Sequence, residues 1–416
     1  MGLAAAYHCA KAGHAVTVLE AAPEPGGMAA HFDFDGLSIE RFYHFVCKDD
    51  ADTFALLDEL GLGERMRWRP TSMGYFVRGR LYDWGNPLAL LRFPCIDPLS
   101  RLRYGALAFV STKRARWDAL EHQTVRAWVT RWAGRRVFET LWKPLLDLKF
   151  HQYAENISAA WIWTRVKRIG RSRRSLWQEE LGFIEGGSQT LVDALCRAIA
   201  AHGGELRLAT PAITIRAEGG RVTGVDTPSG FVAADAVLST MPTPLISAAV
   251  PDLPAEWRAK YDGITNIGVC CVVLKLKRSV SPHFWVNIVD SGMEIPGIIE
   301  FSNLRPCQDT IVFVPYYMHV SHAKFAWPSE RLVSETFEYV RRINPAIAET
   351  DLLASHVGRL RYAQPVCEPG FASKLPPIET PIANLQIADT CFYYPEDRGI
   401  SESVRLARQM AARVSA

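Results

Sequence analysis

Glu20 is the first side chain that points to a chemistry. It closes the alternating run Ala15-Val16-Thr17-Val18-Leu19 and precedes the pair Gly26-Gly27. Its interval from Gly2 matches the ~20 residues that separate a phosphate-turn glycine from a ribose-binding acid. A carboxylate at the end of a strand accepts hydrogen bonds from ribose hydroxyls. A glycine opening the preceding helix lets helix and strand pack closely and turns the positive helix end toward a pyrophosphate. The elements needed are a small-residue helix over 3–12, ended by Gly13, and a strand over 15–19. Together they form the back half of a dinucleotide-binding βαβ unit.

The rest of the composition narrows the field. The 416 residues, 48% hydrophobic and 11% aromatic, suffice for two or three cores. A net charge of +3, from 47 basic and 44 acidic residues, argues against a nucleic-acid partner. Nine cysteines with no CxxC spacing read as reduced thiols and favour a cytoplasmic location. Cys270-Cys271 fall in an apolar run expected to be a buried strand. No metal-ligand pattern is found, and no apolar run approaches 18 residues, so a transmembrane segment is not expected. Peripheral membrane contact stays open.

Three segments carry a resemblance. VLEAAPEPGGMA resembles the signature that follows the first βαβ unit in FAD-dependent amine oxidases, protoporphyrinogen oxidases, carotenoid desaturases and UDP-galactopyranose mutases. Residues 183–227, from FIEGGSQTLVDAL onward, resemble the middle return into the FAD domain, with ADAVLSTMP (234–242) as the strand that follows. LQIADTCFYYPEDRGISESVRLARQMA (385–411) resembles the closing motif. The resemblance implies an α/β fold: a Rossmann-like FAD-binding domain built from 1–71, 182–245 and 356–416. A second, α+β substrate domain is implied over 72–181, mostly helical, and 246–355, an antiparallel sheet. Within the second unit, 72–84 reads as a hairpin around Arg78-Gly79, 86–181 as helical, 264–318 as several strands, 329–343 as a helix and 357–362 as a strand.

The same resemblance assigns FAD contacts to Gly2, Glu20, Gly26, Gly27, Met28, Ala212, Asp389, Gly399 and Ile400. Glu20 would hold the adenosine ribose, the backbone near Ala212 the adenine, Asp389 the ribityl-diphosphate part, and Gly399-Ile400 would open a helix toward the flavin ring. Two positions depart from the family pattern: Ala388-Asp389 replaces Gly-Asp, and Met28 stands where arginine is common. The string Phe42-Tyr43-His44-Phe45 is similar to a stretch lying beneath the flavin in the mutases. His44 is therefore the first catalytic candidate, as a flavin hydrogen-bond partner or proton shuttle, with a structural histidine as the alternative. Tyr362, in RLRYAQPVC with Arg361 and Pro365, is the second. Tyr317, beside Tyr316, and Trp285 are candidate cavity walls.

Arg165, Lys167, Arg168, Arg171, Arg173 and Arg174 form the densest basic run. Arg171, Arg173 and Arg174 are its substrate candidates, read as a phosphate clamp, a contact to acidic lipid or a solvated face. The implied function is an FAD-dependent oxidoreductase acting on a C–N or C–C bond of a largely apolar small molecule, with oxygen or a quinone as electron acceptor. Protoporphyrinogen-oxidase-like or desaturase-like chemistry ranks above amine oxidation. A non-redox mutase acting on a nucleotide sugar, and a flavin-binding pseudoenzyme, are the alternatives. One further expectation concerns the start of the chain. Met1 stands directly before the third glycine of the family's G-x-G-x-x-G, and the preceding strand and two glycines are absent. Residues 1–416 alone are expected to be poorly soluble or flavin-free, and a form extended upstream by about a dozen residues to be yellow.

Overall fold

Glycine, alanine and β-branched residues place the first elements. The computed structural model describes residues 1–414. Its first helix, α1 (Gly2–Lys11), and strand β1 (Thr17–Leu19) lie within two residues of their expected bounds. The hairpin of β2 (Met73–Val77) and β3 (Arg80–Trp84) turns at Arg78-Gly79. Their φ values of 53° and 69° are the left-handed pair that a two-residue hairpin of native twist requires. Two helices begin on proline: α2 (Pro87–Arg92) and α3 (Pro98–Lys113). Their N-caps, Asn86 and Asp97, accept backbone N–H bonds from Ala89 and Ser100. Helices α4 (Lys143–Phe150) and α5 (Ala159–Arg171) follow.

The helical pattern expected through residue 181 stops earlier. Arg173–Ser175 is already extended, and β4 (Gln178–Ile184) pairs antiparallel with Met66–Thr71. In β4 the side chains of Glu179 and Leu181 alternate inward, so pairing with a distant strand replaces local helix propensity. Beyond it come α6 (Ser188–Ala201), β5 (Glu205–Arg207) and β6 (Val237–Ser239). The sheet strands are β7 (Asn266–Leu276), β8 (Trp285–Ile288), β9 (Gly297–Glu300) and β10 (Thr310–Met318). Helix α7 (Ser329–Ile343) has the expected bounds, whereas the strand expected over 357–362 is the longer β11 (Leu352–Pro365). The chain closes with β12 (Leu385–Ile387) and α8 (Ile400–Ala411).

Two kinds of sheet result. In the first unit β1 runs parallel to β5 and β6 parallel to β12, while α1 packs against both α6 and α8. Ala4, Ala5 and Ala6 are buried there with Leu191, Leu195, Val404 and Ala407, their small side chains allowing the close approach. In the second unit seven strands lie in the order β11-β7-β10-β9-β8-β2-β3. The sheet was expected to be antiparallel, and one pair is not: β8 runs parallel to β2. The β2–β3 hairpin arrives from an earlier part of the chain, so no tight turn dictates its direction against β8. Strand β7 is buried on both faces, which accounts for its unbroken apolar run. Cys270, Val272 and Leu274 face α7 with Leu332 and Val340, while Val269, Cys271 and Val273 face the helical segment. All nine cysteines are free thiols.

Candidate functional site

A single cavity of about 1740 Å³ runs between the two units. It exceeds the ~300–1,000 Å³ of an ordinary small-molecule pocket and has room for a dinucleotide with a second molecule beside it. Every cofactor position expected from the sequence borders it: Gly2, Glu20, Gly26, Gly27, Met28, Ala212, Asp389, Gly399 and Ile400. His44, Tyr317, Trp285 and Tyr362 border it too. Arg173 does, whereas Arg171 and Arg174 do not.

The nucleotide end is built from backbone. No side chain caps α1, so the N–H groups of its first turn are unclaimed at the cavity wall. Gly26 has φ 113°, and a Cβ there would lie 3.2 Å from the backbone nitrogen of Ala30 and 3.0 Å from Val192. That turn is tied to the middle segment by the Ser188 hydroxyl, which donates to the Ala29 carbonyl at 2.6 Å. Glu20 Oε1 accepts the Ala22 N–H at 2.8 Å. Its Oε2 has no protein hydrogen bond among the described residues, so one carboxylate oxygen is available to a ligand. Asp389 is arranged differently. It is buried and accepts N–H bonds from Thr243 at 2.7 Å and Cys391 at 2.8 Å. Burial raises its pKa, and these bonds oppose the rise. Its carboxyl braces the end of β12 against the loop after β6.

The opposite end is aromatic and carries charge. Tyr43 meets Trp285 edge-on at 5.5 Å. The His44 Nδ1 atom is buried with no protein partner, and burial lowers the imidazole pKa, so the ring is neutral at pH 7. Lys149 Nζ lies 4.6 Å from the centre of the Tyr317 ring and 5.0 Å from that of Trp161. No carboxylate forms an ion pair with Lys149 among the described residues. Burial, and then the Arg165 cation, press its pKa well below the ordinary lysine value. Arg165 pairs with Asp397, and Arg398 donates to the Ala363 carbonyl and, at 3.4 Å, to the Tyr317 hydroxyl. Burial disfavours ionised Asp397, but Arg165, Lys149 and Arg398 outweigh it and hold the carboxyl well below the usual range. Three basic groups thus surround one carboxylate.

The basic run is divided by the fold. Arg168 makes two bonds to Asp50, at 2.7 and 3.1 Å, and Arg173 donates to the carbonyls of Gly85 and Leu176. Arg171 pairs with Asp49 at 3.0 Å on the surface, and Arg174 is exposed. Lys149, Asp397 and Arg398 were not singled out from the sequence. The last two directly precede Gly399 in the closing motif, which was a usable signal. Lys149 had none, since only folding brings α4 to this wall.

A parallel-stranded nucleotide unit and an antiparallel-rich sheet sharing one elongated cavity define a two-domain flavoprotein fold. The profile of the flavin containing amine oxidoreductases matches residues 2–389, and the chain belongs to that family. The mitochondrial protoporphyrinogen oxidase of Nicotiana tabacum is 26% identical over 245 residues, 50% of this chain and 47% of that protein. The match therefore spans about half that relative's length. Among solved structures, a candidate protoporphyrinogen oxidase from Exiguobacterium sp. 255-15 superposes with a TM-score of 0.75 at 19% identity, covering 99% of this chain and 95% of that one. Reduced UDP-galactopyranose mutase gives 0.73 at 16% identity, covering 98% and 92%. Putrescine oxidase bound to putrescine gives 0.71 at 16%, covering 99% and 95%. At these identities the likeness is one of fold. FAD is the cofactor, and the residues fit it: an uncapped helix start, a glycine turn that a Cβ would obstruct and a free carboxylate oxygen all face one cavity. Among the described residues no helix is long and apolar enough to cross a membrane.

Proposed function

We propose that this protein is an FAD-dependent oxidoreductase that oxidises a C–C or C–N bond of a large, mostly apolar substrate bearing an anionic substituent. The observation that supports this most directly is the continuity of the cavity, from the nucleotide positions to a chamber walled by Tyr43, Trp285, Tyr317 and Tyr362. Bound FAD would supply the two-electron acceptor, to be reoxidised by oxygen or a quinone. The chain's own residues position and exclude. Gly26-Gly27 and Glu20 hold the nucleotide, and the aromatic wall excludes water. Neutral His44 offers one hydrogen-bond donor and one acceptor. An anionic substituent beside Lys149 would restore the charge that burial suppresses there.

The mutase reading draws support from the fold and from the Phe42–Phe45 string, but its expected diphosphate clamp is dispersed: Arg168 is paired with Asp50 and Arg171 with Asp49. Anaerobic mixing of the FAD-loaded protein with porphyrinogens, polyenes and hydrophobic amines, each with and without a carboxylate, tests the proposal. Bleaching of the flavin absorbance by an apolar carboxylate-bearing donor is expected. Turnover of a nucleotide sugar that needs reduced flavin but transfers no net electrons would establish the mutase reading instead, and neither across the panel would leave a flavin-binding protein without catalysis.

A further inference from the structure

Two residues beyond Lys149 the backbone takes a conformation that its residue type disfavours. His151, at the end of α4, has φ 49° and ψ −119°. Those angles belong to the first central position of a type II′ turn, where glycine dominates because a Cβ is crowded by its own backbone. A histidine there is held against local strain by something around it. Its Nε2 lies 2.7 Å from the Tyr317 carbonyl oxygen, and a carbonyl only accepts, so Nε2 donates. The carbonyl needs that donor. Strand β9 pairs with β10 at Val312 and Phe313 and goes no further, so the Tyr317 end of β10 has a free edge. Alternate residues face this edge: the Ile311 N–H donates across it to Ser302, Pro315 has no N–H to leave there, and the Tyr317 carbonyl comes next. His151 closes the edge from outside the sheet.

The same bond bears on the cavity. Helix α4 packs on β10, and Lys149 lies over the ring of the residue whose carbonyl His151 holds. Phe150, between them in sequence, is 1% exposed and meets Trp161 edge-on at 5.4 Å. We propose that His151 is a positioning residue: it ties the end of α4 to the free edge of β10 and so keeps the Lys149 amine over the Tyr317 ring, in the geometry that selects an anionic substituent. The choice of an anion rests on the function proposed above; the tie between helix and strand does not. Lys149 is faced by Arg165 of α5, Asp397 and Arg398 before α8, and Cys367 beyond β11. On its outer side the imidazole meets the His322 ring at 5.5 Å. Among the described residues none of these groups hydrogen-bonds to His151, so a change at 151 reaches the amine through the wall.

Three variants of the FAD-loaded full chain test this. His151→Gly loses the bond but suits the backbone, and should melt at or above the wild type. His151→Ala loses the bond and keeps the crowded Cβ, and should melt below His151→Gly. Pulse acetylation, read by peptide mass spectrometry, gives the pH at which Lys149 becomes reactive. In both variants a loosened wall admits water, so this pH should rise by about one unit or more toward the free-lysine value of about 10.4. His151→Gln, whose amide donates in place of the imidazole, should keep the wild-type profile. By calorimetry the wild type should bind decanoate at least about tenfold more tightly than decanol, a preference that glycine and alanine largely lose and glutamine retains. An unchanged Lys149 profile in His151→Gly overturns the proposal. So does a glutamine variant that melts as the wild type does but labels like glycine, or a glycine variant that melts no higher than alanine. Wild type that binds both probes alike counts against the proposed substrate class alone, and the labelling profile then decides the role of His151.

Discussion

Replacing Glu20 with alanine should weaken FAD binding by an amount the local geometry bounds. The side chain is half-buried, and its Oε1 is already engaged by the Ala22 N–H, leaving Oε2 as the principal acceptor for a ribose hydroxyl. A hydrogen bond to a charged group contributes about 1.5–3 kcal/mol. Partial exposure places this one in the lower part of that range, roughly 1.5–2 kcal/mol, or about a 10- to 30-fold rise in Kd. Alanine also removes the Ala22 bond, worth about 0.5–1.5 kcal/mol of fold stability. Glu20→Gln separates the two effects. It keeps an acceptor for Ala22, loses the charge and should weaken FAD by about half the free energy of the alanine variant. The assay is titration of flavin-stripped protein with FAD, followed by flavin fluorescence, with a thermal melt run in parallel. FMN, which lacks the adenosine ribose, provides the control and should bind wild type and both variants alike. Unchanged FAD affinity in Glu20→Ala, or equal weakening toward FAD and FMN, would refute the ribose assignment.

Three further outcomes follow from buried charge. Lys149→Met should stabilise the flavin-stripped protein at pH 7 by about 1.4 kcal/mol for each unit by which the lysine pKa is depressed. The folded protein holds this proton less tightly than the unfolded chain, so wild-type stability rises with pH toward the unfolded lysine pKa and the advantage of methionine shrinks over the same window; a pH-independent difference in urea unfolding would count against it. Glu300, 1% exposed on β9 and accepting N–H bonds from Val280 and Ser281, has its pKa raised by burial to about 7. Its folded pKa lies above the unfolded value, so its contribution is present at low pH and lost as pH rises from about 4.5 to about 7. Glu300→Gln should match the wild type near pH 4.5 and exceed it by about 3 kcal/mol above pH 8, and melting temperatures that run parallel across that range would contradict the assignment. Asp50→Asn strands the Arg168 guanidinium and should cost about 3 kcal/mol in urea unfolding, with a loss below about 1 kcal/mol telling against a buried pair.

Local pattern alone determined much of the nucleotide half, and helix α7 of the second unit. Small residues over 3–12, the alternating run ending at Glu20, the turn at Gly26-Gly27 and the helix over 329–343 are short-range signals, because glycine conformation and side-chain period act within a few residues. Gly2, Glu20 and Gly26-Gly27 stood out as nucleotide-binding candidates by type and spacing, and Met28, Ala212, Asp389, Gly399 and Ile400 by the family resemblance; the fold lines all of them along one cavity. What only the tertiary structure decided involves pairing across long stretches of chain. Residues 178–184 became a strand because Met66–Thr71 lay ready to pair, and β8 ran parallel to β2 because no connecting turn set their direction. The charged end of the cavity arose in the same way. Lys149 from α4, Arg165 from α5 and Asp397-Arg398 from the closing motif are separated in sequence, and packing alone brings them to one wall. The arginine run shows the converse. Its density was visible in the sequence, but each guanidinium's partner was chosen by the fold, so adjacent arginines ended in a buried pair, a surface pair, a carbonyl bridge and solvent. Charge content is a property of sequence, whereas the low-dielectric surroundings that give a charge its energy exist only once distant segments have packed around it.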